Sequence, residues 1–202
     1  MKDWIGNKNT TFLTLGATNH SELERADRDF YATSPEAIKE LYKFWEQIGF
    51  CNSVWECACG NGHLSKGLKE VAPHIHIKNS DIVIREFDCK IIDFLKCNTP
   101  VFDMDIITNP PYKYALEFVE KAIDLIQNNH KVAMFLKLTF LEGQKRRKFF
   151  NKYPPKKVLV FSKRMNVARN GEQAFFNKSS AACYAWFIWE KGFTDKPVIE
   201  WI

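Results

Sequence analysis

Two short apolar runs, each ending in a tight turn, constrain this chain more than any other feature. Ser53-Val54-Trp55-Glu56-Cys57-Ala58 is rich in strand-forming side chains and stops at Cys59-Gly60-Asn61-Gly62, after which His63 to Val71 has helical periodicity. Asp103-Met104-Asp105-Ile106-Ile107-Thr108 is a second such run, and it leads straight into Asn109-Pro110-Pro111-Tyr112. Between them, His76 to Ile84 contains a strand closing near Asp81. Tyr114 to Gln127 then reads as an amphipathic helix, Lys131 to Leu138 as an apolar strand, and Lys157 to Ser162 and Cys183 to Trp189 as later strands. Strands alternating with helices predict an α/β fold around a mostly parallel sheet with helices on both faces. Upstream, Ala37, Leu41, Phe44, Trp45 and Ile48 recur at helical spacing. Thr33 and Glu36 stand at capping-box spacing with Pro35 between them, which predicts a helix from about Pro35 to Gly49.

A strand, a glycine turn and a helix open a nucleotide-binding βαβ unit, because glycine lets the backbone turn sharply beside a ligand. The third glycine of the dinucleotide fingerprint is missing, since position 65 is Ser. About 20 residues beyond the turn, Asp81 ends the next strand, where an acid can accept hydrogen bonds from ribose hydroxyls. Together these features favour an adenosine-containing cofactor over a purely structural turn.

Charge is unevenly spread. The 202 residues carry a net +5, yet the stretch Lys137 to Lys178 has twelve Lys and Arg against Glu142 and Glu172, leaving −5 for the remainder. Phe149, Phe150, Tyr153, Phe161, Phe175 and Phe176 lie among those cations. Cations attract phosphates and aromatic rings stack on bases, so the stretch points to a nucleic-acid partner rather than a merely solvated face. No apolar run approaches the roughly 18 residues of a membrane span, and Met1 to His20 lacks a secretory signal, so a cytoplasmic protein with reduced thiols is expected. Cys51, Cys57, Cys59 and His63 invite a zinc reading. Cys57-x-Cys59 within a strand lacks the paired spacing of structural zinc sites, and no metal is expected.

The Asn109-Pro110-Pro111-Tyr112 element at the end of a strand, downstream of a glycine turn, resembles the hallmark of class I S-adenosylmethionine-dependent amino-methyltransferases. The order of upstream motif, glycine loop and Asn-Pro-Pro-Tyr is similar to adenine-N6 DNA methyltransferases of the gamma kind. Asp29-Phe30-Tyr31-Ala32-Thr33, Asn109 to Lys113, Phe140-Leu141-Glu142-Gly143 and Tyr184 to Trp189 resemble small phage- and prophage-encoded members of that group. The resemblance implies a Rossmann-like fold with a central seven-stranded, mostly parallel sheet. Residues Met1 to Arg28 are polar and weakly periodic, which predicts an irregular arm over 1–28, followed by one catalytic domain over 29–202. Asn109, Pro110, Pro111 and Tyr112 would be catalytic. S-adenosylmethionine would be held by Tyr31, Thr33, Glu56, Ala58, Gly60, Gly62, Asp81, Asp93, Phe94 and Asn109.

Candidate substrate contacts are Lys113, Lys145, Arg146, Lys163, Arg164 and Arg169. With no separate target-recognition domain, the substrate-facing loop expected at Arg164 to Phe176 and the N-terminal arm are the places for base contacts. Cys57 departs from the family's usual Pro. DNA is the expected partner. An RNA base, a protein glutamine, or a nucleic-acid-binding role without catalysis are the alternatives.

Overall fold

A computed structural model describes residues 31–165, 167–169 and 182–202, so the expected N-terminal arm and most of the expected substrate loop lie outside the described residues. Ten strands are present among those residues: β1 (Tyr31–Thr33), β2 (Ser53–Glu56), β3 (His76–Asp81), β4 (Lys90–Ile91), β5 (Asp105–Thr108), β6 (Lys131–Lys137), β7 (Lys157–Val160), β8 (Val167–Arg169), β9 (Tyr184–Glu190) and β10 (Val198–Trp201). The helices are α1 (Pro35–Tyr42), α2 (Trp45–Ile48), α3 (His63–Val71), α4 (Ala115–Leu125) and α5 (Gln144–Lys152).

The main sheet runs β10-β7-β9-β6-β5-β2-β3-β4, with β9 antiparallel to both its neighbours and every other pairing parallel. It has eight strands where seven were expected. Six of the eight were read from the sequence; β4 and β10, at the two edges of the sheet, were not, and β10 pairs in parallel with β7. Its apolar side chains are exposed, so no buried alternation announces it. β1 and β8 form a separate antiparallel ribbon, with Tyr31 opposite Arg169 and Thr33 opposite Val167.

Alternation along the strands sorts the core into two layers. Val132, Met134 and Leu136 of β6 and Phe187 and Trp189 of β9 pack with Phe118, Val119 and Ala122 of α4. The intervening Ala133 and Phe135, with Trp186 and Ile188, pack with Ala37, Ile38 and Leu41 of α1 and Leu64 and Leu68 of α3. Helices therefore cover both faces, which is why the central strands read as continuous apolar runs.

The first helix differs in detail from the expected one. Ser34, not Thr33, accepts a hydrogen bond from the Glu36 N–H at 3.3 Å, because Thr33 is drawn into β1. Lys43 and Phe44 interrupt the helix between Tyr42 and Trp45. The indole N–H of Trp186 donates to the Ala37 carbonyl at 2.8 Å, tying α1 to the sheet. Gly67 permits the close crossing of α3 under α1, where a Cβ would stand 2.7 Å from Ile38 Cγ2.

Candidate active site

Three adjacent strands, β3, β2 and β5, deliver the motif residues to one end of the sheet. Strand order reverses beside β2, the position at which open α/β sheets leave a crevice at the carboxyl ends of their strands. The turn after β2 is held to the end of β3 by backbone and side-chain bonds. The Cys59 N–H donates to the Ser80 carbonyl at 3.0 Å, and the Gly60 N–H donates to Asp81 Oδ2 at 2.8 Å. Asp81 Oδ1 accepts from the Val83 N–H at 3.2 Å. A carboxylate offers about four acceptor positions, so roughly two remain on Asp81 for hydroxyl donors.

Glu56 is buried, and its carboxyl is pushed up to about 8, chiefly by burial, with the Ser65 hydrogen bonds opposing and the Asp81 charge adding. The Ser65 hydroxyl lies in short contact with Glu56 Oε2 and 2.6 Å from Asn79 Oδ1. One hydroxyl proton cannot serve two acceptors. While Ser65 donates to the ionised Glu56 carboxylate, Asn79 goes without its proton; once Glu56 is protonated the acid can donate to Ser65 Oγ and free the hydroxyl for Asn79. The serine that replaces the third fingerprint glycine thus fixes the acid at the strand's end. Ser65 and Asn79 were missed as site residues, because only the folded turn brings them to Glu56.

Gly62 adopts φ +72°, and a Cβ there would meet the Phe87 ring at 2.5 Å, so the turn is both left-handed and covered. Asn61 Oδ1, inside the turn, is buried with no hydrogen-bond partner among the described residues. A buried acceptor without a donor is costly in a closed protein and suits a site that receives a ligand donor. Ala58 is half-buried beside the main core. Cys57 and Cys59 are buried, and burial pushes both thiols up, as expected of small core residues beside the turn.

β5 ends directly at Asn109-Pro110-Pro111-Tyr112. Asn109 is half-buried and Pro110 buried, and Pro111 leads into a single 3-10 turn, Tyr112–Tyr114, closed by the Tyr114 N–H donating to the Pro111 carbonyl at 2.9 Å. The two prolines restrict the backbone where the strand becomes a turn. The Tyr112 ring is half-buried, 6.0 Å from the Tyr184 ring, and Lys137 Nζ lies 5.1 Å from its centre. Lys137 therefore stands at the mouth of this turn. Its position at the end of the apolar β6 run is the sequence signal that could have singled it out.

The remaining candidates are dispersed. Thr33 is buried in β1, and only the backbone is described for Tyr31 and Arg169. Asp93 pairs with Lys96 at 3.0 Å. Phe94 turns into the core, 2% exposed, stacked on Phe118 and edge-on to Trp55, so its ring presents no face to a ligand. Lys113 and Lys145 are exposed. Arg146 is drawn back onto the Glu142 and Thr139 carbonyls, Lys163 pairs with Glu36, and Arg164 donates to Cys183 Sγ at 2.9 Å.

No protein-family profile matches the sequence, and no curated protein does. Solved structures do match. A candidate RNA methyltransferase from Pyrococcus horikoshii is 15% identical with a TM-score of 0.58, over 94% of this chain and 100% of that one. A candidate class I S-adenosylmethionine-dependent methyltransferase from Listeria monocytogenes is 14% identical with a TM-score of 0.61, over 96% of this chain and 72% of that one. The type IIG restriction endonuclease BpuSI is 16% identical with a TM-score of 0.56, over 89% of this chain and 27% of that one. Together with the strand order, these likenesses give the chain the Rossmann-like class I methyltransferase fold.

Proposed function

We propose that the protein is an S-adenosylmethionine-dependent methyltransferase acting on the N6 amine of adenine in DNA. The observation that carries this reading is Asn109-Pro110-Pro111-Tyr112 at the carboxyl end of β5, one strand from the Glu56 to Gly62 turn. The turn suits the cofactor on three counts: the unpartnered Asn61 oxygen, the backbone held against Asp81, and acceptor capacity left on Asp81. Glu56 to Gly62 would hold the methionine side and Asp81 the ribose. Tyr31, Thr33 and Asp93 complete the proposed set, while Phe94 contributes through core packing alone.

When bound, the cofactor supplies an electrophilic sulfonium methyl. An adenine amine is conjugated with its ring and is a poor nucleophile. Two acceptors at its hydrogens localise the lone pair toward the methyl group, and the Asn109 side-chain oxygen and Pro110 carbonyl take that role. The prolines fix both acceptors before the substrate arrives, so little reorganisation is left for the reaction itself. Tyr112 stacks on the base once it leaves the helix. Lys113, next to the motif, and Lys145 and Arg164 of the basic stretch are exposed and supply phosphate contacts. Lys163, Arg146 and Arg164 hold Glu36, the Glu142 and Thr139 carbonyls and Cys183 Sγ in the fold, contacts that a phosphate would replace.

RNA in place of DNA is the second reading, favoured by the full-length likeness to the candidate RNA methyltransferase. Transfer of a tritiated methyl from labelled cofactor to DNA, RNA and protein in parallel, followed by nucleoside analysis, separates the two. N6-methyldeoxyadenosine is the expected product, and label in RNA alone transfers the assignment to the second reading.

A further inference from the structure

We propose that Cys51, Asp105 and His130 form a binding site for a single divalent cation of the zinc type, at the end of the sheet opposite the methyl-transfer turn. The ligating atoms of the three side chains lie within 4.8 Å of one another. Ligand atoms around a tetrahedral zinc ion stand roughly 3.3–3.7 Å apart, given bonds of about 2.0–2.3 Å, so small side-chain rotations close the set. A thiol, an imidazole and a carboxylate are the donor types that a borderline cation takes, and three protein ligands leave a fourth position for water.

The surroundings hold these donors in place. Asp105 is fully buried, and each of its oxygens is oriented by a backbone N–H: Cys51 N donates to Oδ2 at 2.7 Å and Lys131 N to Oδ1 at 2.8 Å. Such outer bonds aim a ligating carboxylate. His130 Nδ1 already faces Asp105 Oδ1 at 3.0 Å, and the imidazole is 19% exposed, which leaves a path for an ion. The neighbouring cation, Lys131, is turned toward the Asn129 carbonyl and Glu190.

Topology gives the site a purpose. The three ligands stand at or just before the starts of β2, β5 and β6, which are successive strands of the sheet. The far ends of those strands carry the glycine turn, the Asn-Pro-Pro-Tyr element and Lys137. An ion joining their starts would brace all three. No metal was expected from the sequence, because these residues lie 54 and 25 positions apart and show no ligand spacing.

The test is cobalt titration of the full chain after chelator treatment. Wild type should take up one equivalent of Co2+ with a thiolate-to-cobalt charge-transfer band, be displaced by Zn2+, and melt higher with either ion. Cys51→Ala should lose the band, His130→Ala should weaken binding at least tenfold, and Cys59→Ser should keep both band and affinity. Melting without metal checks that each variant folds. Absence of the band in wild type, its survival in Cys51→Ala, or unchanged affinity in His130→Ala overturns the proposal. Methyl transfer need not be measured, so this test fails or succeeds independently of the proposed activity.

Discussion

Glu56 is the residue whose surroundings have the sharpest measurable consequence. Its folded value of about 8 lies above the ordinary 4.5, so the native state prefers the neutral acid. That preference stabilises fully below pH 4.5 and is lost as pH rises through 8. Glu56→Gln keeps a donor toward Ser65 and removes the titration. Denaturant unfolding should find the two proteins similar near pH 5 and the Gln variant roughly 2–4 kcal/mol the more stable at pH 8, at about 1.4 kcal/mol per pKa unit with some relaxation. Equal pH dependence in both would mean that Glu56 is ionised in the fold. Tyr112 carries a second expectation. If its ring stacks on the base, Tyr112→Phe should keep most turnover, while Tyr112→Ala should lose about 1–3 kcal/mol of substrate binding. Residues in short motifs were the legible ones, since Glu56, Gly60, Gly62 and Asn109 are placed by local chain geometry. Ser65 against Glu56, Phe94 in the core and Arg146 on its own turn depend on tertiary neighbours that no spacing announces.

At the level of elements, α1 over α3 is the contact most sensitive to a single atom. Gly67→Ala would place its Cβ 2.7 Å from Ile38 Cγ2 and 3.3 Å from the Pro35 backbone, with no flexible chain end to yield on the Pro35 side. Overpacking of this sort costs about 1–3 kcal/mol, to be read as a lower urea midpoint at unchanged slope. A variant as stable as wild type would mean the helices separate freely. Long periodic segments were legible: α3 occupies His63–Val71 as expected, and β6 and α4 fall within a residue or two of their expected bounds. The two-residue β4 and three-residue β1 and β8 were not, because pairing partners rather than pattern define so short a strand.

For the whole molecule, the basic stretch makes nucleic-acid affinity depend on salt. Each neutralised phosphate releases about 0.9 counterions from a B-form duplex, so Lys145→Ala with Arg164→Ala should flatten the slope of log affinity against log salt by about 1 to 2 units while sparing cofactor binding. An unchanged slope would make these side chains a solvated face. The parallel α/β architecture was readable from alternation alone. The edge strand β10 was not, because it exposes its apolar side chains. The proposed methyl transfer converges on one turn at the end of β5, and its most direct trial is single-turnover methyl transfer by Asn109→Ala beside calorimetry of its cofactor binding. The expected result is a loss of about a hundredfold to a thousandfold in rate, the usual cost of removing one group aimed at the transition state, with cofactor affinity within a fewfold of wild type. Near-wild-type turnover would contradict the mechanism.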